Sequence, residues 1–339
     1  MANTRPSAKY PDECVRNYHF DNLKAVLIFF VVFGHLIEPY RQTGSILTFL
    51  YNICYILHMP LFVFMSGYFS KNTEKARKNA FVNLLIPYII FNLLFSLYVL
   101  PAGEISVFEP QYAYWYILSM FFWRMLLTDV SKVRFALIIA VLFSVLCALL
   151  EKPSNFLAIS STIRFFPFFL MGYFFNDKMK QQLAKFPRFF AFVVFSLICA
   201  MAWFSNLNGF SIYRILYGNS GFIGDIPIWQ GPLLLLAAYA TAALAGLCFI
   251  RFVPEKATFF TGLGNSTLAV YLMHTFLVIA IHRIDERHSF LPQLPPFLQI
   301  GVFAVLAAVL VLFLGNSYFN RYFTLALTFL KKIVYKTEG

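Results

Sequence analysis

The chain has 339 residues; 60% of them are Ala, Val, Ile, Leu, Met, Phe, Trp, Tyr or Cys, and only 12% are charged. A soluble globular chain carries roughly 45–50% apolar and ~25% charged residues, so this composition excludes a soluble enzyme, a disordered chain and a small disulfide scaffold. The net charge of +12 would suggest nucleic acid in a soluble protein, but beside long apolar runs the cations read as topology markers and no nucleic acid is expected.

The apolar runs are unbroken rather than alternating, which specifies helices and not a β-barrel. The expected fold is an all-α integral membrane protein, a polytopic bundle of about ten transmembrane helices. Residues 1–20 are polar and contain Arg5, Lys9 and Arg16. The apolar run after them is too long for a signal peptide and carries Lys24, His35 and Glu38, so it reads as a retained first helix. Spans are predicted at roughly 22–40, 46–69, 80–100, 112–127, 133–150, 161–175, 189–207, 227–250, 260–282 and 296–316. At ~20 residues per span they fill 1–339 as one membrane-embedded domain, with 1–20 as an N-terminal segment and 320–339 as a basic tail.

With the N-terminus in the cytoplasm, nineteen Lys and Arg fall inside and five (Arg41, Lys152, Arg214, Arg283 and Arg287) fall outside. Lys24, Arg124 and Arg164 lie in the spans or at their ends. This positive-inside bias predicts that both termini are cytoplasmic. The five cysteines (Cys14, Cys54, Cys147, Cys199 and Cys248) form no CxxC pair, and neither a disulfide framework nor a metal site is expected.

Ionisable groups inside a membrane cost several kcal/mol unless paired or wet, which makes them functional candidates. Here they are Lys24, His35, Glu38, His58, Arg164 and His274. Eleven residues at 100° each put Lys24 and His35 on one helix face, about 16 Å apart. Glu38 is three residues beyond His35, where it can orient the ring and stabilise an imidazolium. His58 precedes Pro60 in HMPLFVFMSGYF; it either takes a carbonyl freed by a proline kink or faces a site. Ser66 and Gly67 allow close approach of a helix or a ligand. His274, in GLGNSTLAVYLMH, falls in the middle or outer half of its span, and Arg164 opens RFFPFFLMGY toward an outer end. The loop SKNTEKARKN sets Lys71, Lys75, Arg77 and Lys78 beside the bilayer, as topology and lipid-headgroup contacts or as a grip on a phosphate-bearing cytosolic ligand. GxxxxGK[ST], GxGxxG, HExxH and GxSxG do not occur.

NYHFDNLKAVLIFFVVFGHL resembles the first helix of the membrane acyltransferase family 3, the O-acyltransferases of bacterial surface glycans. That helix carries a basic residue, ten intervening residues and then His, here Lys24 and His35. HMPLFVFMSGYF resembles the second-helix motif of the fucose 4-O-acetylase-like branch. YWYILSMFFWR, with Trp115, then RFFPFFLMGYFF and GNSTLAVYLMH follow in the family's order, and the resemblance spans residues 16–320. The chain departs from the family in having Lys24 where Arg is frequent, which removes a bidentate phosphate grip. The family's loop Arg-x-x-Arg appears only as Lys75-Ala-Arg77-Lys78.

The resemblance implies transfer of an acetyl group from cytosolic acetyl-CoA to a sugar hydroxyl of an extracytoplasmic glycan, in a bacterial inner membrane and among membrane lipids. His35 is then the general base with Glu38 beside it. Lys24, Lys71, Lys75, Arg77, Lys78 and Ser66 bind the donor. His58, Arg164, His274 and Trp115 face the acceptor or the oxyanion. A covalent acetyl-His35 is a rival mechanism. A transporter using His and Glu as a proton relay is the alternative function. A glycan polymerase needs a larger outer loop than the stretch near 208–226.

Overall fold

Helix α1 (Tyr18–Ile37) opens on Asn17, whose side chain accepts from the Phe20 N–H, and its α-helical bonding stops at Pro39, which has no N–H to give the His35 carbonyl four residues back. The chain there tightens into a 3₁₀ turn over Glu38–Tyr40. The structure, a computed structural model, describes residues 17–42, 45–101, 104–149, 155–208, 215–216 and 230–335. Cys14, Lys152, Arg214, most of the predicted N-terminal segment and most of the stretch near 208–226 lie outside them.

Every described regular element is helical. Helix α2 spans Ile46–Tyr68. Helices α3 (Thr73–Ala80) and α4 (Ile86–Val99) are joined by a π-helical turn, Phe81–Leu85, into one run. Pro87 has no N–H to give the Asn83 carbonyl four residues back, and Ile86 instead donates to Phe81 five residues back. After them come α5 (Trp115–Val130), α6 (Ala136–Ala148), α7 (Ile159–Phe174), α8 (Asp177–Lys185) and α9 (Arg188–Leu207). Four more follow: α10 (Gln230–Phe252), α11 (Thr267–His288), α12 (Pro296–Gly315) and α13 (Ser317–Val334).

Among the described residues, eight helices are long and apolar enough to cross a membrane. The predicted spans 112–127 and 133–150 are the shorter helices α5, of 16 residues, and α6, of 13. The predicted span 260–282 begins late. Thr261–Asn265 forms a 3₁₀ turn containing two glycines, and α11 starts at Thr267 and runs on to His288. The tail predicted from 320 is mostly helix α13. The chain is a multi-pass membrane protein.

Helix α1 is buried along most of its length against α2, α11 and α12. Helices α2 and α7 meet most extensively. A Cβ on Gly67 would collide with the Phe169 carbonyl, and one on Gly172 with the Phe64 carbonyl; the two glycines let the backbones touch without a gap to fill. At the periphery, α9 buries only the stripe Ala191, Ile198, Ala202 and Asn206, while Phe189, Phe192, Leu197 and Phe204 face outward. A helix that is apolar on its outward face has lipid there.

Two buried asparagines hold the segments that shape the interior. Asn22 donates to the carbonyls of Pro254 and Lys256, both at 2.8 Å, and accepts from Thr258 and Thr261. This ties the α10–α11 connection to the start of α1. Asn92 donates to Ser106 and Glu109 and accepts from the Gln111 N–H at 2.7 Å, fixing the approach to Tyr112. Tyr114 then donates to the Leu272 carbonyl at 2.9 Å and meets Thr275 Oγ1 at 2.7 Å, while Tyr271 donates to the Ala113 carbonyl. Residues 112–114 are thereby clamped to α11 beside His274.

Candidate active site

His35 lies in the last turn of α1 and is 5% exposed. Its Nδ1 donates to Glu38 Oε2 at 3.2 Å. A carboxylate only accepts, so this contact fixes the tautomer and leaves the lone pair of the neutral ring on Nε2. Glu38 is itself held. Tyr51 donates to its Oε1 at 3.2 Å and Tyr112 to its Oε2 at 3.4 Å. Arg41 donates to its backbone carbonyl at 2.7 Å, with a guanidinium nitrogen 3.7 Å from Oε1. The Arg41 guanidinium lies over the Tyr51 ring. The carboxylate therefore has charge balance and a set direction. The predicted His35–Glu38 pair is present and is supported by three further side chains.

The Tyr112 ring is 4.5 Å from the His35 ring, that of His274 is 5.4 Å away and that of Tyr55 is 6.4 Å away. Tyr55 in turn meets His58 edge-on. The three predicted histidines are thus drawn into one buried layer, but they differ in how they are held. His58 Nδ1 donates to the Cys54 carbonyl. The carbonyl that Pro60 deprives of a donor is that of Ile56, so His58 is not patching the proline. His274 Nδ1 donates to the carbonyls of Val270 (3.1 Å) and Tyr271 (2.8 Å), and its buried Nε2 has no hydrogen-bond partner among the described residues. Each of these neutral rings presents a lone pair at Nε2 and not an N–H. They suit a hydroxyl donor better than an oxyanion.

Arg164 and Trp115 belong to another neighbourhood. Arg164 Nη1 donates to the Ile215 carbonyl at 2.8 Å, and its own carbonyl accepts from Tyr239. The Trp115 ring packs 5.0 Å from that of Phe165.

Two cavities flank this layer. At the end of the bundle where α1 begins, a cavity of about 320 Å³ is lined by Lys24, Ser66, Asn83, Tyr116, Arg124 and Thr267 among apolar side chains. Lys24 Nζ pairs with Asp21 at 2.7 Å. Ser66 Oγ donates to the Phe62 carbonyl and lies 2.6 Å from the Tyr116 hydroxyl. The four loop cations do not line this cavity. Lys71 donates to the carbonyls of Tyr173 and Phe175 that close α7, and burial lowers its pKa from the ordinary lysine value. Arg77 pairs with Asp129 at the surface, and Lys75 and Lys78 are exposed. At the opposite end, a vestibule of about 390 Å³ is lined by Glu38, Tyr112, His282, Arg283 and Glu286. Among the described residues, no group of three or more His, Cys, Asp or Glu gathers to hold a metal.

Sequence reasoning passed over Tyr51, Tyr112 and Arg41. Tyr51, Tyr55 and His58 sit at i, i+4 and i+7 of one helix, a spacing that marks a shared face; Arg41 is three residues past Glu38. Those two could have been found. Tyr112 could not. Its φ of 51° is a left-handed backbone that a bulky side chain rarely adopts. Asn92 and α11 impose it, and such outliers gather at functional sites.

No solved structure matches this chain. Two curated proteins are similar to it, both named nodulation protein NolL. That of Sinorhizobium fredii is 26% identical over 318 residues, covering 81% of this chain and 80% of its own. That of Mesorhizobium japonicum is 24% identical over 350 residues, covering 92% and 91%. Residues 17–315 match the family described as acyltransferase domain. The matched stretch runs from the cap of α1 to the end of α12 and takes in both cavities and the histidine layer. The chain belongs to the membrane acyltransferase family 3.

Proposed function

We propose that this membrane acyltransferase moves an acetyl group from cytosolic acetyl-CoA to a sugar hydroxyl of an extracytoplasmic glycan, in a bacterial inner membrane with both termini in the cytoplasm. The observation that carries the reading is a buried, carboxylate-paired imidazole set between cavities at opposite ends of the bundle. The cation asymmetry puts the Lys24 end in the cytoplasm, where a phosphate-rich thioester is available. The vestibule of Glu38, Tyr112, Arg283 and Glu286 is then the acceptor side, with polar groups suited to a sugar.

In this reading the acceptor oxygen attacks the thioester carbonyl as His35 Nε2 removes its proton. Glu38, at 3.2 Å from Nδ1, balances the imidazolium. The tetrahedral adduct collapses, the carbon–sulfur bond breaks, and the thiolate takes the proton from His35. Base catalysis of this kind is typically worth ~10²–10⁴-fold. The exposed Lys75, Arg77 and Lys78 steer the anionic donor toward the inner mouth, and Lys24 and Ser66 meet it inside.

Mass spectrometry of surface glycan from cells with and without the gene tests the function. The expected result is one sugar lighter by the mass of an acetyl group when the gene is absent. Unchanged glycan masses overturn the glycan acceptor, and a different mass replaces acetyl with another acyl group.

A further inference from the structure

Arg124, the last residue of the motif YWYILSMFFWR, lines the inner cavity and has been given no role so far. It projects from α5 and is half-buried, its Nε has no hydrogen-bond partner, and no carboxylate pairs with it among the described residues. Lys24, the other cation lining the cavity, is matched by Asp21 at 2.7 Å. The cavity thus carries one unmatched guanidinium against walls of Phe62, Met65, Phe69, Met120 and Leu268. Holding an unpaired charge out of water is costly, and a guanidinium is the side chain best shaped to take a phosphate through two parallel donors.

We propose that Arg124 receives the phosphate nearest the arm of the thioester donor, while the apolar cavity holds the pantetheine arm. This inference rests on the donor reading above and adds the residue that recognises the donor. Reach supports it. The arm of a CoA thioester has about thirteen bonds from sulfur to the first phosphorus, and an extended chain gains about 1.1–1.2 Å per bond, or about 15 Å in all. Lys24 lies about 16 Å along α1 from His35, and Arg124 lines the same cavity as Lys24. With its thioester at His35, the donor sets its first phosphate level with the two cations. The cavity, about 320 Å³, suits the arm and leaves the nucleotide at the mouth. Lys24, a point charge without a fork, does not supply the bidentate grip; Arg124 does.

Calorimetry on purified wild type, Arg124→Gln and Arg124→Lys tests this, with CoA, 4′-phosphopantetheine and pantetheine as probes. The quantity read is the ratio of the Kd for pantetheine to that for 4′-phosphopantetheine, the gain due to the phosphate. Arg124→Gln should reduce this ratio about tenfold or more, the size of one charge-assisted hydrogen bond. It should leave pantetheine binding unchanged, which also shows that the variant is folded. Arg124→Lys should restore part of the ratio. An unchanged ratio, or equal weakening of all three probes, overturns the assignment. Binding is measured in vesicles of phosphatidylcholine alone and in equal mixture with phosphatidylglycerol. If Arg124→Gln matters only in the mixture, and equally for every probe, Arg124 meets a lipid phosphate and the proposal falls. A wild type that binds no CoA overturns the donor reading and this inference with it; normal wild-type binding with an unaffected variant overturns Arg124 alone.

Discussion

His35 and His274 are buried imidazoles with ring centres 5.4 Å apart, yet they are held for different work. His35 gives its Nδ1 proton to a carboxylate that is itself fixed by Tyr51, Tyr112 and Arg41. His274 gives its own to two carbonyls of its helix. A carbonyl orients a ring but offers no net charge to offset an imidazolium. A carboxylate does both. Burial and proximity therefore do not select the base among clustered histidines; what Nδ1 touches does.

Four variants can break or sharpen that contrast. His35→Ala should lower turnover by at least about 100-fold, the lower end of what general base catalysis contributes, with the protein still inserted and monodisperse. Retention of more than about a tenth of wild-type turnover would mean another group is the base. Glu38→Gln should be milder, about tenfold in kcat, because shape and one hydrogen bond survive while the charge is lost; a loss as large as that of His35→Ala would give the carboxylate a more direct part. His274→Gln should cost less than about tenfold and mainly raise the KM for the acceptor, as expected for a lone pair that positions a hydroxyl. If its kcat instead falls as far as that of His35→Ala, the two rings act as one unit and the contrast fails. The smallest effect is expected at the inner loop. Arg77→Gln with Lys78→Gln should raise the donor KM about twofold at low salt and leave it unaltered at high salt, where exposed charges are screened. A salt-independent rise would place these cations in direct contact with donor.

The first helix was readable almost completely from its residues. A buried charge in lipid is expensive wherever it occurs, so Lys24, His35 and Glu38 declared themselves, and 3.6-residue periodicity put His35 above Lys24 and beside Glu38. The basic loop was as visible in the sequence, but its contacts were not. Clustered cations are visible in a sequence, but whether they reach a cavity depends on what else claims them. Lys71 is claimed by the carbonyls that end α7, and Arg77 by Asp129.

Composition and run length alone determined that this chain is a helical membrane protein, because lipid tolerates a backbone only when its hydrogen bonds are satisfied within the segment. Spacing within one helix determined the His35–Glu38 pair. Contacts between residues far apart in the chain had no such local signature. Tyr112 is 74 residues from the carboxylate it meets, and its left-handed backbone is imposed by Asn92 and α11 rather than by its neighbours. His274 enters the layer because Tyr271 and Tyr114 lock α11 to the segment before α5. Arg124 looked like a cation at a helix end until α1, α2, the α3–α4 run and α11 closed a cavity around it. Helical periodicity says which side chains share a face, and only the packing of helices decides what each face encounters.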